Sequence, residues 1–218
     1  MWSRMLQCFF SAGFILVLIS ADASEEQEEC RDLVHNFITA KSPQRSYPAR
    51  ITKLTGAVYT ADIEPACYKK RPSVYMPGYV KMIDGELLVD QNFDLVKDGY
   101  LRLTVRGRDF DDALCLNGTS QYLALPSTFC RVNLCNFIGV EMCHILQLKG
   151  VHTFEELEKK LEFNRTLVLP EPPSLLGISL LDLFSGEFNF AFALETGGRT
   201  ILELEIPTND QYLQIGVE

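Results

Sequence analysis

The side chains able to do chemistry in this 218-residue chain are few and scattered. Its three histidines are His35, His144 and His152. His35 stands beside Val34 and reads as a surface or half-buried residue. His144 follows Cys143, which is expected in a disulfide and so is no nucleophile. His152 precedes a helix-capping pattern and reads as a solvated helix entry. Asp109, Asp111 and Asp112 offer oxygen ligands, but they lack the regular spacing of a calcium loop and read as a solvated turn. The sequence contains no G-x-S-x-G elbow, no H-E-x-x-H and no phosphate-binding loop. No catalytic residue, metal site or cofactor is therefore expected. A hydrolase built on distant carboxylates, which leave no spacing signature, is the third-ranked reading.

Cysteine usage speaks more clearly. There are seven Cys, and Cys8 lies in an apolar leader. Arg4 gives that leader a positive start, Cys8 to Ser20 is almost wholly apolar, and Ala21-Asp22-Ala23 is a small-x-small cleavage site. The run is shorter than the ~20 residues of a membrane span. Residues 1–23 are thus expected to be a signal peptide. The remaining Cys30, Cys67, Cys115, Cys130, Cys135 and Cys143 are even in number, and no C-x-x-C pair suggests zinc. Three bridges are expected, with fifteen possible connectivities; Cys115–Cys130 and Cys135–Cys143 are plausible local bridges, which would leave Cys30–Cys67. Asn117-Gly118-Thr119 and Asn164-Arg165-Thr166 are glycosylation sequons, which belong on a surface. The net charge of −9 gives no electrostatic reason to bind nucleic acid.

These residues need elements to position them. Ser24 to Lys41 has an acidic first turn, then Cys30, Leu33, Val34, Phe37 and Ile38 at helical spacing, and is expected to be a helix. Residues 49–77 carry three prolines and read as irregular, with one strand near Thr55 to Thr60. Leu101, Leu103 and Val105 alternate with Arg102, Thr104 and Arg106 in a clear two-faced strand. Gly85 to Val96 is its expected hairpin partner through the Asp98-Gly99 turn, and Gln121 to Leu125 a short strand. Thr153 and Glu156 form a capping box for a short surface helix. Leu167 to Leu169 is a strand entering a Pro-rich loop. Phe188, Phe190, Phe192 and Leu194 then alternate with polar or small residues. Across a Thr196-Gly197-Gly198 turn, Leu202, Leu204 and Ile206 do the same. This is a hairpin with one apolar, aromatic face.

The Leu169-Pro170 step, the Pro-rich loop, Gly186-Glu187-Phe188 and the two alternating strands resemble the C-terminal part of the ganglioside activator branch of the ML lipid-recognition superfamily. The similarity covers roughly residues 79–206. Leu101 to Gly107 resembles an earlier family strand, and Cys130 to Cys143 matches the family's cysteine cluster in position. The N-terminal segment is additional, and the family's loop Trp has no counterpart, the single Trp being Trp2.

The resemblance implies a mainly β fold: an antiparallel β-sandwich or β-cup spanning 79–218, stabilised by disulfides, after an N-terminal helix and irregular extension over 24–78. It implies a secreted or lysosomal, non-enzymatic lipid carrier. Leu101, Leu103, Val105, Phe188, Phe190, Phe192, Leu202, Leu204 and Ile206 would line its lipid cavity. Leu175, Leu176, Ile178, Leu180, Leu181, Leu183 and Phe184 would form a membrane-contacting loop. The implied partners are a lipid (an acyl chain or glycolipid), a membrane surface, and a lipid-processing enzyme or receptor. The alternative is a disulfide-linked extracellular module that binds protein or glycan and whose aromatic stripe fills a dry core, as such stripes usually do.

Overall fold

The computed structural model describes residues 29–43, 46–123, 125–169, 171, 174–175, 178–179 and 185–216. In chain order its strands are β1 (Phe37–Ala40), β2 (Ala49–Thr60), β3 (Cys67–Tyr68), β4 (Arg71–Val74), β5 (Gly78–Val89), β6 (Tyr100–Gly107), β7 (Cys115–Leu116), β8 (Thr119–Ser120), β9 (Arg131–Asn133), β10 (Gly150–Thr153), β11 (Thr166–Leu169), β12 (Ser174–Leu175), β13 (Ile178–Ser179), β14 (Gly186–Thr196), β15 (Arg199–Ile206) and β16 (Leu213–Ile215). The helices are α1 (Leu95–Asp98), α2 (Leu134–Ile138), α3 (Val140–Leu146) and α4 (Phe154–Leu161). The fold is mainly β, as expected, and three disulfides hold it.

The first sheet runs β1-β2-β5, with β10 and β11 sharing the far edge of β5. The second is centred on β14, which pairs with β6 along one edge and with β16 and then β15 along the other. β7, β8 and β9 extend it beyond β6. Its pairings are antiparallel except β4 with β16, so the sheet is mixed. The two sheets pack as a sandwich. Ala49, Ile51, Leu87 and Val89 of the first meet Leu101, Leu194, Leu202 and Leu204 of the second. Along one edge the sheets are joined directly. The Glu205 N–H donates to the Lys41 carbonyl at 3.1 Å, the Ser42 hydroxyl to the Glu203 carbonyl at 2.5 Å, and the Thr208 N–H to the Thr39 carbonyl at 2.8 Å. Helices α1, α2 and α3 cover the core with Leu95, Leu134, Ile138 and Leu146.

Four expectations need correction. The helix over 24–41 does not form in its described part, where a turn leads into β1. Asn36, fully buried, explains this. Its side chain accepts from the Leu33 N–H at 2.7 Å, a donor a helix would have used, and donates to the Val58 carbonyl at 2.9 Å, which ties the segment to β2. The residues after it then pair with β2, Phe37 opposite Ala57. Helical spacing at Leu33 and Val34 marked no buried face, since both are exposed.

The stretch 49–77 is not irregular either, for β2 is the main partner of β5. Two bulges interrupt their ladder, and a bulge blurs the period-2 pattern by which a strand is recognised. Third, Gly85–Val96 and β6 are not a hairpin. The Asp94 carboxylate caps the Lys97 N–H at 3.1 Å and sets up α1 instead, whose Leu95 is buried. Asp98 accepts from the Gly197 N–H at 2.9 Å, so it braces a turn on another hairpin. Fourth, no strand forms in the described part of Gln121–Leu125, where the chain bends beyond β8 and the Leu125 N–H donates to the Tyr122 carbonyl at 3.1 Å.

Other expectations stand. The Thr153 hydroxyl accepts from the Glu156 N–H at 3.3 Å and starts α4. The β14–β15 hairpin turns at Gly197 and Gly198, whose φ values of 55° and 69° suit a primed turn that glycine adopts freely. The bridges are Cys30–Cys67, Cys115–Cys130 and Cys135–Cys143, with Cα separations of 5.9, 5.5 and 5.8 Å. They suit an oxidising compartment. Among the described residues no helix is long and apolar enough to cross a membrane.

Candidate functional site: an apolar cavity between the sheets

Strand register brings all nine expected cavity residues to one surface. Across β6 and β14, Leu101 faces Leu194, Leu103 faces Phe192, Val105 faces Phe190, and Gly107 faces Phe188. Across β14 and β15, Phe190 faces Ile206, Phe192 faces Leu204, and Leu194 faces Leu202. Alternation then turns these side chains to the same side of the sheet.

That surface is divided. At one end Val105, Leu114, Phe188 and the Cys115–Cys130 pair form a buried cluster, with Leu103, Phe110, Tyr122 and Phe190 packed against it. Phe110 and Phe188 lie 5.8 Å apart between ring centroids. Gly107 is needed here, because a Cβ in its place would stand 2.4 Å from the Phe110 ring and 2.9 Å from that of Phe188. Four expected cavity residues, Leu103, Val105, Phe188 and Phe190, thus belong to a filled core.

At the other end the sheets leave a cavity of about 260 Å³. Leu101, Phe192, Leu194, Leu202, Leu204 and Ile206 form one wall, and Ala49, Ile51 and Leu87 of the first sheet form a second. The third wall is Phe93 and Leu95 with Leu134, Ile138 and Leu146 from α2 and α3. Sequence reasoning missed the last two walls. Leu134 and Ile138 are an i, i+4 pair, but one such pair in a five-residue helix leaves no periodic signature.

The lining carries no ionisable side chain among the described residues. The cavity therefore offers dispersion and desolvation and no acid–base chemistry. An apolar void of ~150 Å³ already stays dry and admits benzene, so this one has room for a larger hydrocarbon fragment. The Cys135–Cys143 bridge is buried and ties α2 to α3, fixing the helical wall.

The histidines do not converge on it. His35 is buried, and its Nδ1 accepts from the Arg31 N–H at 3.2 Å. His144 is exposed. His152 is buried rather than solvated, with Nε2 2.8 Å from the Leu148 carbonyl and Nδ1 3.5 Å from Glu156. Asp109, Asp111 and Asp112 are exposed, and the described residues hold no group of three or more His, Cys, Asp or Glu placed to grip a metal. Both sequon asparagines, Asn117 and Asn164, are exposed. Of the expected membrane-contacting loop, Leu176, Leu180, Leu181, Leu183 and Phe184 lie outside the described residues. Leu175 and Ile178 oppose each other in the β12–β13 hairpin.

No protein-family model matches the chain, and no curated protein matches it.

Proposed function

We propose that this is a non-enzymatic lipid-binding protein, secreted or held in the lysosomal lumen, which shelters an acyl chain between its sheets. The observation that carries the reading is the apolar cavity of about 260 Å³, walled by both sheets and by α2 and α3. Each buried CH₂ contributes roughly 0.8 kcal/mol. A chain segment of a few carbons is thus held by desolvation alone, before the entropic cost of association. The volume suits a short chain, or the end of a longer one. The resemblance to the ML lipid-recognition superfamily supports the same function, and the three disulfides with the exposed sequon positions Asn117 and Asn164, which we take to be glycosylated, support the compartment. A membrane surface and a lipid-processing enzyme or receptor are the partners such a carrier would meet.

One observation favours the alternative, an extracellular interaction module: half of the aromatic face is filled core. Lipid extracted from the purified protein and identified by mass spectrometry decides between them. A carrier yields stoichiometric lipid, and Leu134→Trp, which fills the cavity, abolishes it without unfolding the protein. A protein that purifies bare and takes up no acyl probe is not a carrier.

A further inference from the structure

β14 changes partner part-way along its length. It pairs with β16 through Gly186, Glu187 and Phe188, and with β15 from Phe190 onward. β15 stops at Ile206 because Pro207 has no N–H to continue the ladder. Asn189 marks the break, and a cleft of about 300 Å³ lies there.

The cleft has two characters. Phe190 and Ile206 face the interior, whereas Arg106, Asn189, Glu205 and Gln211 supply polar groups at the outer side. Ile206 also lines the apolar cavity. The Phe190 ring stacks on that of Phe192, a cavity residue, with centroids 6.3 Å apart. Ile206 is thus a wall shared by the polar cleft and the apolar cavity.

The charges in the cleft are unlike their neighbours. On the same outer face Arg102 pairs with Glu195 at 3.0 Å, and Glu187 is held by Arg71 at 2.6 Å and by Arg108. Arg106 and Glu205 form no ion pair or side-chain hydrogen bond among the described residues. They stand on β6 and β15, either side of β14, with Arg106 opposite Asn189 and Glu205 opposite Ala191. Two strand spacings and a two-residue offset put their Cα atoms about 12 Å apart, and they do not pair with each other. A ligand with only an anionic head would meet Glu205 as well as Arg106, and one with only a cationic head would meet both in the opposite sense. A head bearing both charges satisfies each residue, the guanidinium taking a phosphate oxygen in a charge-assisted bond.

We propose that the break between β15 and β16 is the head-group site for a zwitterionic amphiphile, with Arg106 on its phosphate, Glu205 on its ammonium, and its tail passing Ile206 into the cavity. The proposal rests on the cavity being a lipid site, and calorimetry with three single-chain probes below their micelle concentrations separates the two ideas. The wild-type protein binds octylphosphocholine about tenfold more tightly than octyl glucoside or octyl sulfate, the difference one charge-assisted contact supplies. Arg106→Gln and Glu205→Gln each remove that preference while octyl glucoside binds as before, which also reports that the variants are folded. Equal binding of all three probes overturns the head-group site and leaves the cavity reading intact. Tightest binding of octyl sulfate, unaffected by Glu205→Gln, overturns it in favour of a simple anion contact. No binding of any probe overturns both.

Discussion

Phe192 on β14 lies directly opposite Leu103 on β6, and the border between hollow and filled protein runs between them. Phe192 presents its ring to the cavity, and Leu103 packs against the cluster around Val105 and Phe188. Phe188→Ala should therefore cost about 3–5 kcal/mol of stability, the usual range for a buried Phe. Phe192→Ala should cost less, because part of the ring already faces a void, and should weaken acyl-probe binding. Thermal unfolding and probe titration on both variants test this; equal losses of stability would mean that the two ends are packed alike.

The three bridges close loops of different size, with sequence separations of 37, 15 and 8 for Cys30–Cys67, Cys115–Cys130 and Cys135–Cys143. Loop-closure entropy then gives about 4 kcal/mol for the first and about 2.5 kcal/mol for the last. Urea unfolding of the paired Cys→Ala variants should rank them in that order. Loss of Cys135–Cys143 should nonetheless harm probe binding more, because it frees the α2–α3 wall.

Acid should weaken the link between β4, β14 and the C-terminal loop. Burial would raise the Glu187 carboxyl, but hydrogen bonds from Arg108 and Arg71 outweigh it and hold the group below its ordinary range. A carboxylate depressed in the folded state contributes stability in full above its unfolded value, near ~4.3, and loses it as pH falls through the lower folded value. The urea midpoint should drop as pH falls below about 4, and Glu187→Gln should both lower stability at neutral pH and flatten that drop. An unchanged acid profile in the variant would assign the acid sensitivity to other carboxylates.

Thr153 caps α4 through its hydroxyl. Thr153→Ala should cost about 1 kcal/mol and Thr153→Ser little, as for other N-caps. Hydrogen exchange at the Glu156 amide reads the effect locally.

Strict alternation made the β14–β15 hairpin and β6 legible in the sequence, and with them one wall of the cavity. The Thr153 cap, a short-range signal, fixed α4 equally well. What stayed hidden depends on partners distant in the chain. β2 and β5 are bulged, so neither keeps a clean period. The turn before β1 follows from Asn36 meeting Val58, a contact over 22 positions that no local window contains. The helical wall was hidden for another reason: α2 and α3 are five and seven residues long, too short for a periodic signature. The split of the apolar face into hollow and filled ends depends on what packs against it. Nothing in the alternation of Phe188, Phe190 and Phe192 says which ring meets a neighbour and which a void.

The seam that joins the two sheets has a consequence for how the protein is made. Ser42 and Glu203 are 161 positions apart, and Thr39 and Thr208 are 169 apart. Contacts of that span close late, since the chain between them must be ordered first. During synthesis β1, β2 and β5 leave the ribosome long before β15 exists to meet them. Ala49, Ile51, Leu87 and Val89, the inner face of the first sheet, remain uncovered for that interval. Nascent chains of this protein thus pass through a sticky half-sandwich, and chaperone capture during translation is expected to centre on β2 and β5 and to end once Glu205 reaches Lys41.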